Sequence, residues 1–207
     1  MYGTVALCQV KPGRRDELKT LLQRQMVEEE RFISGLIASF FYSLDQDPDR
    51  GVMVAVIDSV EAYRANADTA RQHERYLEIR ALLSEDPDWN DGEIETYVLA
   101  EGASFSSAAY GTVAHLRIKA GARQQLEELT RKQLAEDAAI PGQIGSYVLE
   151  VDSKPNEAYL VVAFQSRETY VTNTQDPHQH QRYTELRALL DSDPVWHDGS
   201  ITPFVRF

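Results

Sequence analysis

One cysteine, Cys8, among 207 residues excludes an internal disulfide framework. Positive charge is scarce too. Lys+Arg 21 against Asp+Glu 33 gives −12 with histidine neutral, so the average surface repels phosphate and anionic lipid. Neither nucleic acid nor a membrane is an expected partner. No stretch approaches the ~20 apolar residues that would span a bilayer. The opening MYGTVALCQV lacks the basic region, apolar core and small-residue cleavage site of a secretory signal, and a cytoplasmic protein is expected. P-loop, G-x-G-x-x-G, G-x-S-x-G and H-E-x-x-H motifs are all missing, which leaves nucleotide and familiar hydrolase chemistry without a foothold. What remains, 43% hydrophobic and 26% charged residues, is the composition of an ordinary globular chain.

The chain is written twice. Tyr2-Gly3-Thr4-Val5-Ala6 returns as Tyr110-Gly111-Thr112-Val113-Ala114. Lys11, Gly13, Arg15, Leu18 and Gln25 return as Lys119, Gly121, Arg123, Leu126 and Gln133. The densest match is Ser59–Gly92 against Ser166–Gly199, where 18 of 34 positions are identical, including His73/His180, Tyr76/Tyr183, Arg80/Arg187 and Trp89/Trp196. Between the copies lies AEGASFSSAA, small and polar as a linker should be. The expected organisation is residues 1–100, a linker at 101–109, and residues 110–207.

Each copy reads as strand, helix, strand, strand, helix, strand. Gly3–Val10 is β-rich, and Lys11-Pro12-Gly13 punctuates it. From Arg14 to about Arg31, Leu18, Leu21, Leu22 and Met26 recur at helical spacing. Leu36–Leu44 and Val52–Asp58 flank the turn chemistry of Asp45–Gly51 and predict a hairpin. A second helix starts after Ser59 and is expected to break near Asp68, and at Asp176-Pro177 in the other copy, where proline cannot sit inside an unbroken helix. Asp86–Gly92 reads as a turn cluster, with Asp91-Gly92 and Asp198-Gly199 as turn residues; Glu93–Leu99 and Ser200–Phe207 read as the closing strands.

A βαββαβ unit of this length is the ferredoxin-like pattern, four antiparallel strands with helices on one face. Strands one and three (Val5, Leu7 and Val10; Val52–Ile57) are apolar on both faces, so the face without helices also needs a cover. Packing the two bare faces together predicts an α+β fold: two ferredoxin-like repeats joined sheet-to-sheet as an intrachain pseudo-dimeric barrel.

The Y-G-T-V-A opening, N-x(6)-H-x-x-Y-x(3)-R on the second helix and D-P-x-W-x-D-G before the last strand resemble the dimeric α+β barrel proteins grouped with antibiotic biosynthesis monooxygenases. The resemblance covers both halves. It implies a pocket between sheet and helices; some members oxidise polycyclic phenols with O₂ and no cofactor, and others degrade haem. The haem branch uses an Asn on the first strand, a Trp ending the third and a His on the second helix. Here the Trp position holds Ile57 and Phe164, and neither first strand contains Asn, which disfavours haem.

The cofactor-free reading needs a general base, a group to hold the phenolate, and apolar walls. His73 and His180 are the candidate bases, because imidazole ordinarily changes charge near neutral pH. Asn66, Arg80, Asn173 and Arg187 lie seven residues either side of these histidines, two turns along a continuous helix. Tyr76, Trp89, Tyr183 and Trp196 would complete the substrate site, with Tyr63 and Tyr170 as further aromatic wall. The expected partner is a small apolar or aromatic molecule, with no cofactor and no metal. His178 and His180 point about 200° apart on a helix, and copy one has Arg71 at the first of them. The opposing reading is a non-catalytic small-molecule-binding or stress-related barrel, in which the His/Arg pair sits solvated on the helix flank and each Trp plugs a core. Copy two is the more polar, with His115, Thr184 and His197 against Leu7, Leu77 and Asn90, which allows a single surviving site there but leaves open which copy works. The fused pair makes a monomer sufficient; a further homodimer contact is left open.

Overall fold

The computed structural model describes residues 1–29, 33–99, 105–137 and 140–203. Expected features at Glu30–Arg31, in the linker up to Ser104 and at the end of the last strand beyond Pro203 lie outside the described residues. The element order is β1 (Tyr2–Gln9), α1 (Arg15–Glu29), β2 (Leu36–Leu44), β3 (Arg50–Ile57), α2 (Val60–Ala67), α3 (Ala70–Arg80) and β4 (Asp88–Leu99). The second half follows with β5 (Tyr110–Arg117), α4 (Arg123–Asp137), β6 (Gln143–Val151), β7 (Glu157–Phe164), α5 (Arg167–Thr174), α6 (Pro177–Ala188) and β8 (Val195–Pro203).

The eight strands close into one barrel in the order β1-β3-β2-β8-β5-β7-β6-β4. Within each half the order is the ferredoxin-like 4-1-3-2. The edge strands then pair across the halves, β2 with β8 and β4 with β6, both antiparallel. Each half's exposed edges are thus satisfied by the other, which removes the unpaired backbone groups an open sheet would present. The joins are also held by side chains in matching pairs. Tyr2 Oη donates to Asp152 Oδ2 at 2.8 Å, and Tyr110 Oη donates to Asp45 Oδ2 at 2.9 Å. The backbone N–H groups of those aspartates reach across too, Asp45 to the Asp198 carbonyl and Asp152 to the Asp91 carbonyl, both at 3.0 Å.

Period-2 alternation sorts the strand residues into two cores. Val5, Tyr42, Val54, Val113, Leu149, Tyr159 and Val161 form the core inside the barrel. Ala6, Cys8, Phe41 and Met53 face outward and pack beneath Leu18 and Leu22 of α1 and Leu82 and Leu83 after α3. Ala114, Leu116, Val148 and Ala158 do the same in the second half under Leu126 and Leu186. Cys8 is buried as a small hydrophobe, and burial pushes its thiol up to about 12, which removes it as a nucleophile at neutral pH.

The Asp-Gly turns expected before the last strands are not turns. Asp88–Gly92 and Val195–Gly199 are already strand, paired with β1 and β5. Neither Gly92 nor Gly199 has a positive φ. Both are required by close approach at the joins between halves: a methyl group on Gly92 would overlap the Glu150 carbonyl, and one on Gly199 the Ser43 carbonyl. The hairpin between β2 and β3 does follow its turn chemistry, with Asp47 Oδ1 accepting from the Asp49 N–H at 2.9 Å.

Candidate functional site

The second helix of each half is broken where expected. Ser59 caps α2 and Thr69 caps α3. In the second half Ser166 and Thr169 form a reciprocal capping box on α5, while Asp176 caps α6 with Pro177 in its first turn. A proline at that point has no N–H to lose and its fixed φ starts the new helix. The break means that Asn66, His73 and Arg80, or Asn173, His180 and Arg187, do not lie on one straight helical line.

In the second half, a cleft of about 390 Å³ lies between the outer face of the sheet and α5–α6. Asn173, His180, Tyr183 and Trp196 line it, together with Tyr170 and Asp198. A smaller void of about 70 Å³ adjoins it, sharing Asn173, Gln179, Tyr183 and Trp196 and reaching Arg182 and Gln133. His180 is exposed and stands at the cleft's mouth. Deeper in, Tyr170 Oη donates to Asp198 Oδ1 at 2.9 Å. Burial first, then the neighbouring Asp198 carboxylate, raises the Tyr170 phenol well above its ordinary range, so this hydroxyl stays protonated and keeps its bond to Asp198. The Tyr183 and Trp196 rings are 6.3 Å apart, tilted by 47°, and make an apolar wall.

The corresponding space in the first half is about 150 Å³. Asn66 and Trp89 line it with Tyr63, Gln72 and Arg75. His73 and Tyr76 are not on its wall. His73 is exposed, and the Tyr76 hydroxyl donates to Asp86 at 3.2 Å. Arg80 and Arg187 are also away from the cavities, and their guanidinium groups are occupied. Arg80 Nε bonds Asp86, and its Nη1 donates to the Leu83 carbonyl at 2.8 Å; Arg187 repeats both contacts with Asp193 and Leu190. These arginines tie the chain leaving each helix to the turn that follows, a C-terminal arrangement favoured by the helix dipole.

Four residues join the clefts that the sequence reading passed over as site residues: Gln72, Arg75, Gln179 and Arg182. Each Gln precedes the repeated His and each Arg follows it by two, so helix rotation chose them over His73. Asp198, expected in a turn, lies instead within β8. The signal was present in Trp196-His197-Asp198, because strand alternation puts Trp196 and Asp198 on one face and His197 on the other.

That alternation also relocates the polar residues of copy two. His115 and His197 face the barrel interior, not the cleft. His115 Nε2 lies 2.8 Å from Glu157 Oε2, and its ring stacks on Tyr159 at 4.8 Å. His197 is 9% exposed, and burial, with Arg50 and His115 adding, lowers its pKa from 6.5; Asp198 opposes. A histidine held neutral in the fold but free to protonate when unfolded withdraws stability as pH falls below about 6.5. His197→Asn, the residue copy one carries at position 90, is therefore expected to flatten the decline in melting temperature between pH 7 and pH 5. An unchanged slope would place the effect on other groups.

Among the described residues no group of three or more His, Cys, Asp or Glu is placed to hold a metal ion, and no helix is long and apolar enough to cross a membrane.

No family model and no curated protein matches the chain in sequence. Solved structures do match in shape. A putative monooxygenase from Lactobacillus acidophilus NCFM aligns over 100% of this chain and 97% of its own, with TM-score 0.81 and 11% identity. One from Fusobacterium nucleatum subsp. nucleatum ATCC 25586 aligns over 100% and 96%, with TM-score 0.82 and 9% identity. An anthrone oxidase-like protein aligns over 98% and 93%, with TM-score 0.62 and 11% identity. At such identities likeness establishes fold and not activity. What the chain shares with these structures is the fold, an eight-stranded α+β barrel built here from two ferredoxin-like copies in a single polypeptide.

Proposed function

We propose that the second-half cleft is the active site of a cofactor-independent monooxygenase acting on a small aromatic or polyketide-type substrate. The observation that carries the reading is the meeting of His180, Asn173, Tyr183, Trp196 and the Tyr170–Asp198 pair around one cavity of about 390 Å³, a size typical of small-molecule sites. The chemistry needs little more. An acidic phenol or anthrone loses a proton to a base at the mouth, His180, and the resulting anion is electron-rich enough to reduce O₂. At an activated CH₂ the balance is CH₂ + O₂ → C=O + H₂O: both C–H bonds and the O–O bond break, one oxygen stays in the product, and the other leaves as water with the two hydrogens. Asn173 is the donor that would hold the substrate oxygen as charge builds on it, while the Tyr170 hydroxyl, committed to Asp198, fixes that carboxylate in place. Tyr183 and Trp196 supply the flat walls.

The test is an oxygen electrode with anthrone as probe, its product read as anthraquinone. One O₂ consumed per anthraquinone, above the buffer rate, is expected. Binding of anthrone, seen as quenching of Trp196 fluorescence in a Trp89→Phe variant, with oxygen uptake at the buffer rate would instead favour the non-catalytic binding barrel. That second reading draws on the exposure of His180 and on the lack of any histidine at the first-half cavity.

A further inference from the structure

We infer that the ligand of the second-half cleft carries a protonated amine, which pairs with Asp198 and lies against the rings around it. This rests on the cleft being the substrate site, and it narrows the substrate to an aromatic or polyketide-type amine. Of the described residues that line the cleft, Asp198 is the one carboxylate, and lysine and arginine are absent from them. Its Oδ1 is taken by the Tyr170 hydroxyl at 2.9 Å, the one side-chain partner Asp198 has among the described residues. Oδ2 accepts nothing, yet it is not one of the polar atoms shut off from solvent. Asp198 is half-buried and on the cleft wall, so Oδ2 opens there.

Rings surround this carboxylate. Tyr170, Tyr183 and Trp196 line the same cleft, and Phe164 meets Tyr170 edge-on with centroids 5.7 Å apart. Aromatic faces attract a cation, a carboxylate adds a charge-assisted hydrogen bond to an ammonium, and an anion is repelled. The overall charge of −12 draws a cation in as well. An ammonium also removes a conflict in the chemistry. Negative charge that builds on a substrate oxygen beside Asp198 is disfavoured by the carboxylate, and a positive group on the same molecule offsets both. Arg182 does not fill this role, because it borders the adjoining void and its Nη2 donates to the Gln133 carbonyl at 3.0 Å. The first half is built differently. There Arg75 lines the cavity, and Asp91, the counterpart of Asp198, does not, so the preference for a cation belongs to the second half.

The probes are 1-naphthylmethylamine, 1-naphthalenemethanol and 1-naphthaleneacetate, which share one ring system and at neutral pH are positive, uncharged and negative. Position is read from the Trp196 indole N–H signal, assigned with Trp89→Phe, and affinity from calorimetric titration. The expected ranking is amine, alcohol, carboxylate, with the amine about tenfold tighter than the alcohol, the worth of one partly exposed ion pair with a ring contact. Asp198→Asn keeps the shape and an acceptor for Tyr170. It should bring the amine down to the affinity of the alcohol and leave the alcohol within about twofold. Asp191→Asn, which removes an exposed charge outside the cleft, should keep the preference. If Asp198→Asn fails to fold, the ranking of the probes on the unaltered protein decides. Equal affinity of amine and alcohol, or a preference that survives Asp198→Asn, overturns the amine assignment and leaves the cleft reading in place. A Trp196 signal unmoved by every probe overturns both.

Discussion

His180→Ala is expected to lower anthrone-dependent oxygen uptake by about 10²–10⁴-fold, the usual contribution of a positioned general base, whereas His73→Ala leaves it within about twofold of the starting rate on that same principle. The two histidines are the same residue in the duplication, on equivalent helices. What separates them is that His180 borders a cavity of about 390 Å³ and His73 borders none of the described ones. The paired measurement therefore asks whether position in the cleft, and not residue type, makes the base. Both side chains are exposed, so neither substitution opens a hole in the core, and melting temperatures should stay close to that of the parent. A rate that survives His180→Ala would remove imidazole from the mechanism, and equal losses at both positions would show that the first-half cavity also turns over. Asn173→Ala gives a finer test in the same assay. If its amide holds the developing oxyanion, it lowers kcat more than it raises KM.

Gly92→Ala is expected to destabilise the protein by about 3 kcal/mol, the upper range for forced overpacking. For a chain of this length that is a fall of roughly 6–12 °C in melting temperature. Gly92 faces Val151 in the register of β4 and β6, one of the two joins between the halves, and an added methyl group runs into the Glu150 carbonyl. Backbone on the opposite strand cannot move aside as a flexible side chain would, so the join must open or shift. Gly121→Ala is the contrast. Gly121 has φ +80° but nothing within 4 Å of an added Cβ, so the change carries only the left-handed backbone penalty of about 1–2 kcal/mol. A Gly92→Ala variant as stable as Gly121→Ala would mean that the β4–β6 join is looser than drawn.

The fold was legible because duplication and alternation both act over many residues. Eighteen identities in 34 positions needed no knowledge of contacts, and strands apolar on both faces demanded a second layer whatever that layer was. Boundaries failed where one dipeptide was given too much weight. Asp-Gly before the last strand looked like a turn, yet this glycine serves close packing between strands that are about 60 residues apart in the chain, a distance local chemistry cannot see.

The candidate site was legible only in its residue types. Trp196, Tyr183, Asn173 and His180 do border one cleft, but Arg80 and Arg187 turned to acidic partners in the turns that follow them. A guanidinium is long enough to reach several neighbours, and the helix wheel does not rank them. By itself the sequence determined the repeat, the strand and helix order, the broken second helix and the need to cover two bare sheet faces, since each depends on local pattern. The tertiary structure alone decided which edges pair to close the barrel and which of two equivalent histidines meets a cavity. Those outcomes depend on helix rotation and on how two near-identical halves approach each other, and both are set by packing across the whole barrel.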